Sequence, residues 1–155
     1  MMKKRGSVRR PSGQGEGVID SLVPVSFITT SVLSRVGAEH DLSLSLIRVL
    51  GILRDRRPRM ADLADYLGLE RQTVSGLIAR AEKRGLVRRV PNAEDGRATD
   101  VVLTAEGSRL VKGLYARTRE SLEPFVDQLA PPDRRLLQSL LERMLESWNE
   151  PDARG

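Results

Sequence analysis

The stretch from Arg57 to Thr104, RPRMADLADYLGLERQTVSGLIARAEKRGLVRRVPNAEDGRATDVVLT, leaves this chain few ways to fold. Leu63, Ala64 and Leu67 lie on one side of a short helix, about Arg59 to Leu67. Gly68 ends it, in the left-handed position that glycine enters most easily. Val74, Leu77, Ile78 and Ala81 mark the buried side of a second helix, about Arg71 to Arg84, capped by Gly85. Two strands follow, Val87 to Pro91 and Thr99 to Leu103. Asn92 to Ala98 joins them, with Asp95-Gly96 as the tight-turn signal. Two helices meeting at a glycine, with a basic hairpin directly behind them, is the order of parts that grips duplex DNA.

The flanks read as helices. Val18, Ile19, Leu22, Val25, Ile28, Val32 and Val36 recur at steps of three and four, so a helix is expected from about Val18 to Val36. Pro24 either kinks it or moves its start later. Ser43 is the expected N-cap of a helix that carries Leu46, Ile47, Leu50 and Leu53 and stops near Asp55, before Pro58. Thr104 caps a long helix, about Ala105 to Gln128, which Pro124 bends or ends. Pro132 and Asp133 open a last helix with Leu136, Leu137, Leu140, Leu141, Met144, Leu145 and Trp148 along it. The predicted fold class is mostly α with a small β wing: a winged helix-turn-helix head plus a helical dimerisation part. Residues 1–17 are expected to be a flexible basic arm. Residues 18–41 and 105–150 are assigned to dimerisation, and 42–104 to DNA binding. The flanking stripes carry more apolar surface than a small head covers; a second copy would cover them, or they would pack on each other within one chain.

Charge supports an anionic partner. The net charge is +5 and the isoelectric point about 10.2. From Arg71 to Arg97, seven bases (Arg71, Arg80, Lys83, Arg84, Arg88, Arg89, Arg97) face three acids (Glu82, Glu94, Asp95). The chain has no cysteine, which excludes disulfides and zinc-thiolate sites and suits a reducing cytoplasm. With one histidine, no metal site or cofactor is expected. No apolar run is read as approaching the ~20 residues of a membrane span, and the basic N-terminus lacks the apolar stretch of a secretory signal.

The second helix of the pair has an outward face of Arg71, Gln72, Ser75, Gly76, Ala79, Arg80 and Lys83. Its centre is slim, as entry into a major groove requires, and Gln and Arg are the side chains that pair with adenine and guanine edges. Thr73 is a candidate phosphate or base partner and a candidate helix cap. At the hairpin tip, Arg97 is the candidate for a minor groove, with Asp95 orienting it by a charge-assisted bond. Arg88 and Arg89 alternate along a strand, so one of them points outward to a phosphate; Arg88 is the choice. Arg54, Arg56, Arg57 and Arg59 form a basic corner that is either simply solvated or, through Arg59, a phosphate contact. The candidate DNA-binding residues are therefore Arg59, Arg71, Gln72, Thr73, Ser75, Gly76, Arg80, Lys83, Arg88 and Arg97. His40, between Glu39 and Asp41, reads as a solvated loop residue, or as one that senses pH or touches a ligand.

The LADYLGLERQTVSGLI core, the EKRGLVRR junction, the DGR tip and the VLTAEG exit into a long helix resemble the MarR family of winged-helix regulators. The resemblance is specific from about Leu42 to Val111. It implies a homodimer with interdigitated terminal helices and two heads in successive major grooves of a pseudo-palindromic operator. It also implies release of DNA when a small, often aromatic or phenolic, effector binds between head and dimer part. The peroxide-sensing subgroup is excluded for want of a thiol. Many members carry a second wing arginine where this chain has Gly96. The expected function is thus a ligand-responsive dimeric repressor. The alternative is a winged-helix module whose reading helix meets a protein. An enzyme is not expected: no catalytic constellation can be assembled, and the five aromatics do not interleave with the basic patch as a single-strand platform would require.

Overall fold

The computed structural model describes residues 16–149, with side chains from 17 to 147. The basic arm, apart from its last two residues, and the Trp148 side chain lie outside the described residues. Along the described chain run α1 (Glu16–Ala38), α2 (Leu44–Asp55), α3 (Met60–Leu67), α4 (Arg71–Lys83), β1 (Val87–Pro91), β2 (Thr99–Leu103), α5 (Ala105–Val126) and α6 (Pro131–Asn149).

The caps follow the expectation at two helices. Ser43 Oγ accepts from Leu46 N–H at 3.2 Å, and Thr104 Oγ1 accepts from Gly107 N–H at 3.0 Å. Both occupy N-terminal amides that the helix itself leaves unpaired. Gly68 and Gly85 close α3 and α4 with φ of 63° and 72°, the left-handed region where a Cβ is unfavourable. Other boundaries differ. α1 runs unbroken through Pro24 from Glu16. The carbonyl that loses its partner to proline lies on an exposed stretch, where water can replace it. α5 likewise passes through Pro124 and ends at Val126, two residues short of the expected Gln128. α6 opens at Pro131. α3 begins at Met60 because Arg59 is extended (φ −66°, ψ 150°) and bridges Asp100 across the sheet.

β1 and β2 pair antiparallel, Val87 opposite Leu103 and Pro91 opposite Thr99. Val101 N–H also donates to Pro58 O at 3.0 Å, so the segment before α3 adds a short third edge to the wing. The core lies where α2, α3, α4 and β2 converge. Val49, Leu50, Leu63, Val74, Ile78 and Val101 are the largest of its fully buried side chains. Each such aliphatic side chain contributes about 1.5–3 kcal/mol on burial. The four apolar positions assigned to the buried face of α4 are all buried. α5 packs against α1 and α2 and so ties the head to the long helices.

The stripes on α1 and α6 do not bury each other. Only Val32 and Val36 of the α1 stripe are buried; Phe27 is 68% exposed, Leu136 60% and Leu145 61%. One expectation needs correcting. Gly17–Ala38, 22 residues of which 18 in succession average a hydropathy of 1.5, is long and apolar enough by length and composition to cross a membrane. Alternation with Ser and Thr hides this in a search for uninterrupted apolar runs. Ser21, Ser26 and Thr29 return their hydroxyls to carbonyls three or four residues back in the helix.

Candidate nucleic-acid interface

α3 and α4 meet around Gly68, and α4 leaves one side of the head exposed. Arg71, Gln72, Thr73, Ser75, Ala79, Arg80 and Lys83 are exposed, and Gly76 is half-buried. The N-cap is Glu70, with no side-chain bond, so the expected capping role of Thr73 is not realised. A Cβ built on Gly76 would lie 3.6 Å from Arg80 Nη1. That is ordinary van der Waals contact, so the Arg80 side chain lies back along the helix over Gly76 without depending on the missing Cβ.

The wing turns tightly at Asp95-Gly96, as expected, but without the left-handed glycine of a two-residue hairpin turn. Gly96 has no positive φ. The tip is a turn closed by Ala98 N–H to Asp95 O at 2.9 Å, and aspartate suits its first position. Asn92 Oδ1 accepts from the amides of Glu94 (3.0 Å) and Asp95 (2.9 Å), bracing the rest of the loop. Asp95 Oδ1 accepts from the backbone N–H of Arg97 at 3.1 Å. It shapes the backbone, and the guanidinium of Arg97 is left without an ion pair among the described residues.

At the root of the wing, the carboxylate of Asp100 is buried. Asn92 Nδ2 donates to one oxygen at 2.8 Å and Arg57 Nε to the other at 2.9 Å. The Asn92 bond first, and then Arg57, hold this carboxyl below the usual carboxylate range against the opposing effect of burial. Arg57 also reaches Pro91 O at 3.4 Å. The network joins the wing tip, both strands and the segment before α3. Nothing in the sequence points to this network, because a lone Asp in a strand carries no sign of its partners.

A sorting of cations results. Arg54 is paired with Asp55 and stacked 3.9 Å over Tyr115. Arg56 lies 5.3 Å over Tyr66, and Arg57 holds Asp100. Arg84 bonds the carbonyls of His40 and Asp41. Arg89 pairs with Glu82 at 3.3 Å, on the strand side opposite Arg88. By contrast Arg59, Arg71, Arg80, Lys83, Arg88 and Arg97 make no ion pair among the described residues. Of the basic corner, Arg56 and Arg59 make no ion pair among the described residues; Arg56 lies over Tyr66, and Arg59 is half-buried, with its charge acting on Asp100. His40 is exposed, in the loop after α1.

A cavity of about 560 Å³ lies between α1, α2, α3 and α5. Leu33, Leu50, Leu114 and Tyr115 line it, and Arg48 and Asp55 are among its charged residues.

The family model described as MarR family matches residues 40–98. The uncharacterized HTH-type transcriptional regulator YfiV of Bacillus subtilis (strain 168) is 30% identical over 111 residues, 69% of this chain and 69% of that regulator. The chain belongs to the MarR family of transcriptional regulators. The HTH-type transcriptional regulator PecS of Dickeya dadantii (strain 3937) is 28% identical over 135 residues, 82% of this chain and 79% of PecS. Among solved structures, AbsC, a MarR family transcriptional regulator from Streptomyces coelicolor, superposes with a TM-score of 0.67 at 26% identity, covering 91% of this chain and 98% of AbsC. The helical fold with its two-stranded wing is the MarR winged-helix fold. MarR regulators bind DNA and act as dimers.

Proposed function

We propose that this MarR-family protein is a dimeric repressor that binds a pseudo-palindromic operator and releases it when a small aromatic or phenolic effector binds. In this reading Gln72, Ser75, Gly76 and Arg80 face the major groove, with Arg71 and Thr73 at the entry of α4. Arg97 enters the minor groove, and Arg59, Lys83 and Arg88 hold phosphates. Residues 42–104 form the DNA-binding region, with 18–41 and 105–150 the dimerisation region. The apolar face of α1 then belongs to a second copy and not to a membrane, and the protein works in the cytoplasm, without catalysis. The cavity between α1, α2, α3 and α5 is the effector site. A ligand filling it acts by favouring a head spacing that does not fit the operator, and it weakens DNA binding by that differential alone.

The single observation that carries the reading is the sorting of cations. In one basic stretch, the candidates for DNA contact keep free charges while their neighbours are bonded inside the protein. The basic, small-centred outward face of α4 speaks against a protein-docking module. Selection of bound sites from random duplex DNA, then titration at several salt concentrations, tests it. Two half-sites related by a dyad are expected. Arg97→Ala should weaken binding and reduce the salt slope by about 0.9. No selected sequence would overturn the operator reading; an unchanged slope would remove Arg97 from the interface.

A further inference from the structure

The C-terminal end of α4 is where three parts of the chain meet. Arg84 caps the helix, and its guanidinium turns onto the corner between α1 and α2. Nη2 donates to His40 O at 2.7 Å and Nη1 to Asp41 O at 2.9 Å. That corner is a tight turn closing α1. His40 and Leu42 N–H both donate to Gly37 O at 2.9 Å, and Asp41 takes a left-handed φ of 54°. A Cβ on Gly37 would run into Leu42 O and Ile47, so the turn is pressed directly on α2. From the other side α5 grips the residues just past the cap. Thr104 Oγ1 donates to Gly85 O at 2.5 Å, Thr104 N–H donates to Leu86 O at 3.0 Å, and Gly107 lies against Leu86 O where no Cβ fits.

The reading helix is thus held at its C-terminal end by α1 and α5, the helices to which the dimer reading assigns the second copy. Its N-terminal end, with Arg71 and Gln72 exposed, lies farthest from that hold and is carried by the head core into which Val74 packs. α4 has 13 residues. At 1.5 Å per residue, a tilt of about 10° about the C-terminal end moves the other end by about 3.4 Å, one base-pair step.

We infer that Arg84 is a positioning residue for DNA recognition, which sets the angle of α4 against the end of α1 and hence the half-site spacing the dimer accepts, and is not one of the phosphate-binding cations. The inference rests on the two-headed operator reading. The planar fork of arginine is what the contact needs, since it presents two donors at fixed separation to two successive carbonyls; a lysine ammonium carries the same charge without that fork.

The test uses the full chain, with Arg84→Ala and Arg84→Lys, on the selected operator and on versions with one base pair added or removed between half-sites. The parent should prefer its own spacing by about tenfold or more, in the range of a single mismatch. Both variants should compress that preference to about threefold or less, with the salt slope unchanged, because no phosphate contact is lost. Thermal melts report whether each variant folds, and Arg84→Lys, which keeps the stem and the charge, carries the comparison if Arg84→Ala does not. A variant that folds and keeps the parent's spacing preference overturns the inference. So does a slope reduced by about 0.9 in Arg84→Ala and restored in Arg84→Lys, the signature of a phosphate contact. A parent indifferent to spacing overturns the two-headed operator itself, and this inference with it.

Discussion

At the scale of the residue, Asp100 shows how a buried charge organises a wing. Its two oxygens take one donor each, from Asn92 and Arg57, so burial leaves neither unsatisfied. The folded carboxyl is held below its ordinary range. Its contribution to stability is therefore fully present above the unfolded pKa, about 3.9, and is lost as pH falls through the lower folded value. Thermal midpoints recorded from about pH 7 down to pH 3 should fall off on the acid side, and in Asp100→Asn that acid limb should be shallower. An identical acid limb in both proteins would show that the carboxylate does not stabilise the wing root. Asp95 shows the opposite arrangement: its carboxylate shapes the turn through a backbone amide and leaves the neighbouring Arg97 charge unpaired.

At the scale of the element, β1 separates two arginines that are adjacent in sequence. Register places Arg89 opposite Val101 and Arg88 opposite Val102, so their side chains leave the sheet on different sides. Arg89 meets Glu82 of α4, and its partly exposed ion pair ties wing to helix for less than about 1 kcal/mol. Arg88→Ala should reduce the salt slope of DNA binding by about 0.9 at unchanged stability. Arg89→Ala should leave the slope alone and lower stability by at most about 1 kcal/mol in a urea titration. Equal slopes for the two variants would contradict the assignment of the strand's outer face. α1 makes a similar point about helices. Its proline is tolerated because it falls on an exposed stretch, while the two valines that enter the core, Val32 and Val36, lie beyond it.

At the scale of the whole molecule, the head is complete and the long helices are not. The core around α2, α3, α4 and β2 closes on itself, whereas α6 presents Leu136, Leu140, Met144 and Leu145 to the outside. An exposed apolar face of this kind marks a surface built for a partner. A C2 pair would set two reading helices on one side of the dimer, matched to a two-fold operator. Leu136→Glu combined with Leu145→Glu should shift the protein to a monomer in sedimentation, and operator affinity should fall toward that of a single head. A double variant that stays dimeric would move the interface away from α6. The cavity between α1, α2, α3 and α5 sits where head and long helices meet.

The sequence by itself determined the parts and their order. Periodicity marks which sides of α3 and α4 are buried, because burial repeats with the helical turn. Gly68 and Gly85 mark the helix ends, because a left-handed residue is costly with a Cβ. The DGR and VLTAEG segments locate the wing and its exit. What only the tertiary structure decided is which charges are free. Arg57, Arg84 and Arg89 look no different in sequence from Arg59, Arg80 and Arg88. Their fates depend on carboxylates and carbonyls far along the chain: Asp100 for Arg57, and His40 and Asp41 for Arg84. Local sequence encodes local geometry, while an ion pair across forty residues exists only after the core has brought its two ends together.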